Sequence, residues 1–152
     1  MRDFDDRTHA AGYAFERHVI GLLGPEFRVV AWMGDGARTR EEIDLSPDLV
    51  VEHRPSGAVI GIECKFRSTL YGGLISWAKE YQPSKYRKFA GQTGHRVFVV
   101  IGIGGRPDDP EYMYCLPLWQ ARFNRLKPGE LKRYRRNPRR RLSFDPASGD
   151  LR

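Results

Sequence analysis

At 152 residues, with 40% hydrophobic and 30% charged content, the chain reads as one globular domain long enough to bury a core. No apolar run is long enough to cross a bilayer, the charged start Met1 to Arg7 has no secretory apolar stretch behind it, and Cys64 and Cys115 form neither a disulfide framework nor a metal spacing, so a reducing cytoplasm is the expected setting. The net charge of +7 is unevenly spread: ten cations between Arg122 and Arg141 face only Glu130, which puts +9 on that segment and leaves −2 on the rest.

In chain order, residues 8 to 23 have the spacing of a helix, with Thr8 as N-cap, a stripe of Ala11, Phe15, Val19, Leu22 and Leu23, and a stop at Gly24-Pro25. Glu16 stands at the border of that stripe and looks toward the domain. Residues 26 to 33 form a first expected strand, followed by a loop at Gly34-Asp35-Gly36 and a polar stretch to Leu45. Residues 47 to 67 read as a β-hairpin, entered at Asp48 and turned at Pro55-Ser56-Gly57. Leu74 to Ala90 is a helical region interrupted at Pro83, where either Gln82 caps a fresh helix or the chain kinks. Arg96 to Ile103 is a strand buried on both faces, Glu111 to Leu116 an edge strand, and Leu118 to Leu126 a short helix. The result is a mixed α/β domain over residues 1–118 and a basic C-terminal extension over 119–152, extended or partly disordered.

The hairpin carries the chemistry. Alternation along its second strand puts Val59, Gly61, Glu63 and Lys65 on one face and Ile60, Ile62, Cys64 and Phe66 on the other. A carboxylate and an ammonium at the end of an otherwise apolar strand have no packing purpose. The hairpin also brings Asp48 near Glu63, and two carboxylates in one small space repel unless a cation lies between them. Hard oxygen donors select Mg²⁺ or Mn²⁺. With a lysine beside them, the set suits phosphodiester hydrolysis. Asp44, four residues earlier, rivals Asp48; Asp48 is preferred because apolar residues follow it at once. His9, His18, His53 and His95 have no ligand spacing, and Cys64 faces the apolar side as core.

Pro47-Asp48 followed by Glu63-Cys64-Lys65 resembles the PD-(D/E)xK nuclease superfamily, and the element order over residues 10 to 103 is similar to its restriction-endonuclease-like core of a helix, a three-stranded meander, a helix and a strand around a mixed sheet. The resemblance implies that Asp48, Glu63 and Lys65 are catalytic. It makes Asp48, Glu63, the Cys64 carbonyl and Glu16 the ligands of Mg²⁺ or Mn²⁺. Gln82 and Tyr86 match an auxiliary Gln-x-x-x-Tyr element of one branch, with Pro83 inside the motif as a departure. It also implies DNA rather than RNA as substrate, and a homodimer.

Lys85, Arg87 and Lys88 near the site, and Arg133, Arg135, Arg136, Arg139 and Arg140 in the extension, are the expected phosphate contacts, since the planar guanidinium donates two hydrogen bonds at once. A chain of this size has no room for a separate recognition domain. Structure-specific or nonspecific cutting is therefore expected over reading of a long sequence. Two alternatives stand beside this reading: a nucleic-acid-binding module without catalysis, and a nuclease subunit of a larger defence or mobile-element complex.

Overall fold

Strand alternation and one helical stripe set the layers of the protein. The computed structural model describes residues 2–33, 47–70, 72–77, 82–121 and 125–152, with side chains for all of these except 2–9, 82 and 83. Helix α1 (Arg2–Leu22) begins well before Thr8, which lies inside it rather than at its cap. Its Phe15, Val19 and Leu22 are buried. Strands β1 (Phe27–Trp32), β2 (Leu49–His53) and β3 (Ala58–Arg67) form an antiparallel meander. Beyond it come the short β4 (Ile75–Ser76), helix α2 (Gln82–Thr93), β5 (Arg96–Arg106) and β6 (Asp109–Pro117). β5 lies parallel to β3, as a helical crossover requires, and antiparallel to β6.

Two cores result, one on each face of the sheet. Phe15, Val19 and Leu22 of α1 pack with Ile60, Ile62, Cys64, Phe98 and Val100. Tyr86 of α2 packs with Trp77, Val97, Val99, Ile101 and Ile103 on the opposite face. β5 is thus covered on both sides, which explains its unbroken apolar run. Gly102 makes the fit of α1 possible, because a Cβ there would stand 2.5 Å from the Phe15 ring.

Several expectations need correction. Residues 75 and 76 are strand, and the second helix starts afresh at Gln82 with Pro83 in its first turn, where a missing N–H costs nothing. Leu118 to Leu126 is not one helix: a single 3-10 turn covers Leu118–Gln120, and Arg125–Leu126 form β7, paired with β4. β6 is not the edge, because β8 (Arg135–Arg136) pairs outside it, giving the sheet order β1-β2-β3-β5-β6-β8.

The described part of the C-terminal segment is ordered rather than extended or disordered. A 3-10 turn spans Pro128–Tyr134, and β9 (Phe144–Asp145) pairs with β10 (Asp150–Leu151). Leu142 and Leu151 are buried in the α1-side core, and the Leu142 N–H donates to the Leu22 carbonyl at 2.8 Å. No helix among the described residues is long and apolar enough to cross a membrane.

Candidate active site

The register that pairs Leu49 with Ile62 sets Asp48 opposite Glu63. β2 begins at Leu49, while β3 continues to Arg67 with β5 beside it, so the sheet splits at this point. Asp48 is held from both sides of the split. Its carbonyl accepts the Met33 N–H at 2.9 Å, and its carboxylate accepts the Cys64 N–H, also at 2.9 Å. The N–H and C=O of a paired residue in an antiparallel strand point the same way. The Cys64 carbonyl therefore faces this open edge too. Pro47 is seated over Gly61, where a Cβ would come within 2.9 Å of its ring Cγ.

Glu63 is only 2% exposed, and its carboxyl is in hydrogen-bond contact with that of Asp48. Burial pushes its pKa well above the usual carboxylate range, and the Asp48 charge raises it further. Two groups work against that rise: the Lys65 ammonium, 3.5 Å from Glu63 Oε1, and the hydroxyl of the buried Tyr86, which donates to the carboxylate. Lys65 itself is 20% exposed, so its head can reach an incoming group.

Glu16 approaches from α1. Burial and the Asp48 charge raise its pKa from the ordinary 4.5 to about 7, opposed by a hydrogen bond from Trp32 Nε1 to Glu16 Oε1 at 3.4 Å and by Lys65. Among the described residues, no three His, Cys, Asp or Glu side chains are gathered closely enough to form a ready-made cation site. The close pair is Asp48 with Glu63, and Glu16 stands beyond it. The Cys64 thiol is buried, and burial among these acids pushes its pKa well up, so it is a core group and not a nucleophile.

The donors fit a hard divalent cation. Two carboxyls in contact, one of them buried, must either hold a proton or share a positive charge, and the raised pKa values of Glu63 and Glu16 mark that demand. Tyr86 meets Glu63, so the altered start of α2 at Pro83 does not displace it. Asp44 and the side chain of Gln82 lie outside the described residues.

The expected phosphate contacts divide. Arg139 forms a two-pronged pair with Asp109 at 3.2 and 3.3 Å, and Arg136 donates to the carbonyls of Asn137 and Arg140, so both brace the C-terminal segment. Arg133 lies over the Tyr134 ring, Arg135 over Tyr112, and Lys85 over Tyr86. Arg133, Arg135 and Arg140 are exposed, as are Arg87 and Lys88 on α2. The pairs Lys65–Ile101, Ile101–Tyr114 and Tyr114–Arg135 put Arg135 in the same row and on the same face as Lys65. Three strand spacings separate them, about 14 Å.

Sequence reasoning passed over three residues that shape the site: Gly61, Trp32 and Tyr13. Tyr13 stacks on Trp32 with ring centroids 5.1 Å apart. The one available signal was that Tyr13 precedes Glu16 by three residues and so shares its side of the helix.

Among solved structures, the Holliday junction resolvase Hjc of Archaeoglobus fulgidus superposes with a TM-score of 0.56, covering 79% of this chain and 91% of that one at 17% identity. The fold is restriction-endonuclease-like. No protein-family model matches the chain, and no curated protein does. In this fold the split between β2 and β3 is the place where Asp48, Glu63 and Lys65 meet.

Proposed function

We propose that the protein is a divalent-metal-dependent nuclease that hydrolyses phosphodiester bonds in DNA, favouring branched or otherwise irregular structure over a long sequence. The observation that carries this reading is the contact of the buried Glu63 carboxyl with that of half-buried Asp48, with the Lys65 ammonium 3.5 Å from Glu63. A structural ion pair would not press a second acid against a buried one. Likeness of fold to a Holliday junction resolvase supports DNA as the substrate.

Asp48, Glu63 and the Cys64 carbonyl would hold Mg²⁺ or Mn²⁺, with Glu16 at the margin. When bound, such an ion lowers the pKa of a water and offsets charge on the phosphate. The protein's own groups do the rest. The Cys64 N–H and Met33 N–H fix Asp48, and Tyr86 fixes Glu63, so the carboxylates need no reorganisation. Lys65, 3.5 Å from Glu63 and partly exposed, would orient the attacking water and donate to a non-bridging phosphate oxygen. Exposed Arg133, Arg135 and Arg140 would grip the backbone of a second strand or arm, some 14 Å away across the sheet in the case of Arg135. Pairing of two chains, which the resemblance implies, would set two such sites against two strands. The two free, buried cysteines suit a reducing cytoplasm.

The test is cleavage of labelled linear, single-stranded and four-way-junction DNA with Mg²⁺ or Mn²⁺, and again with chelator. Metal-dependent cutting lost in Lys65→Ala is expected. Binding with no cutting under any of these conditions would instead favour the non-catalytic module, and activity arising only on addition of a partner would favour the subunit reading.

A further inference from the structure

The aromatic residues beside the acids take no part in the hydrolysis derived above. Tyr13 and Glu16 lie on one side of α1, a single turn apart. Trp32, the last residue of β1, donates its indole N–H to Glu16 and lays its ring on Tyr13 at an interplanar angle of 25°. Tyr13 is nevertheless 40% exposed. Packing does not account for it, since α1 already buries Phe15, Val19 and Leu22 in the core. The phenol ring is backed by the indole, and the indole is tied to an acid of the site, so the pair is held in place before any ligand arrives.

An aromatic face of this kind accepts any base, because every base has a π-face, but only once that base has left the stack of a duplex. Resting on the nuclease reading above, we propose that Tyr13, backed by Trp32, is a stacking platform for an unpaired nucleobase next to the phosphate to be cut. The ligand class is thus an unstacked base of a flap, a branch point or a strand end. A preference for irregular DNA would then follow from the site itself, without a recognition domain.

The test uses the full chain in chelator, so that binding is read without cutting. Two labelled duplexes of equal length are compared, one continuous and one interrupted by unpaired thymines; 2-aminopurine at the unpaired position reports stacking by quenching. The wild type should bind the interrupted probe more tightly and quench it. Tyr13→Ala should weaken that binding about tenfold more than it weakens duplex binding, and abolish the quench. Tyr13→Phe keeps the ring and should retain both properties. Tyr13→Leu keeps bulk without a π-face and should behave like Tyr13→Ala, which guards against a disturbed fold. Equal loss on both probes, or loss on neither, overturns the platform and leaves the nuclease reading standing. A wild type that binds neither probe overturns the platform, and the metal-dependent cleavage test above decides the nuclease reading separately.

Discussion

Gly61→Ala tests whether the seat of Pro47 sets the position of Asp48. The new Cβ would stand 2.9 Å from Pro47 Cγ and 3.3 Å from both Phe89 Cε1 and Val97 Cγ2. Carbon atoms pack best at about 3.5–4.0 Å, so Pro47 must give way by about 0.6 Å or more. Its ring is rigid and its neighbour is Asp48, so the shift passes to the 2.9 Å bond between Asp48 and the Cys64 N–H, which would lengthen toward breaking. Misplacement on that scale at a reacting centre costs up to about 100-fold in rate. Overpacking itself costs about 1–3 kcal/mol of stability, a few degrees of Tm. The assay pairs cleavage rate with Mn²⁺ binding by calorimetry and thermal melts. Gly61→Ala should lose about 10- to 100-fold in rate and bind Mn²⁺ more weakly. Adding Pro47→Ala removes the atom that clashes, and the double variant should regain most of the lost rate. A double variant no better than Gly61→Ala, or a fully active single variant, would show that the Pro47 seat does not position Asp48.

Three further outcomes follow from the same geometry. Folded Glu16 holds its proton up to about 7, whereas the unfolded chain releases it near 4.5, so metal-free stability should fall as pH rises through that window, with the raised Glu63 adding to the loss; melts in chelator from pH 5 to 8 should show Tm dropping, Glu16→Gln should flatten the curve, and a rising Tm would contradict the assignment. Gly102→Ala drives a methyl into the Phe15 ring and should lower stability by about 1–3 kcal/mol in denaturant titrations, through loosened packing of α1. Arg135→Ala should weaken DNA binding alike on all sequences and reduce the slope of log K against log salt by about one, while Arg139→Ala, whose charge already answers Asp109, should move the slope less.

What could be read from the chain was what depends on local repetition. Alternation in β3 places Glu63 and Lys65 on one face whatever the rest of the protein does, and the stripe of α1 puts Glu16 at its border. The C-terminal segment misled because order there rests on isolated residues. Leu142 and Leu151 are buried among arginines and prolines, and two leucines nine positions apart leave no period to detect. Trp32 and Tyr13 were hidden for a related reason: their contact joins a helix to a strand across the chain, and no spacing announces it.

Asp48 lies between these cases. Its acid is visible in the sequence, but its role depends on register, and the register follows from the turn closed by Gly57 at a φ of 73°. One residue more or fewer in that turn would swap the faces of β2 against β3 and take Asp48 away from Glu63. The same register ends the pairing of β2 at Leu49. A β2 paired through Pro47 would spend the Cys64 N–H on the Pro47 carbonyl in place of the Asp48 carboxylate, while Pro47, with no N–H to donate, would leave the Cys64 carbonyl open. The split in the sheet, as much as the three charged residues, is therefore what makes a site here.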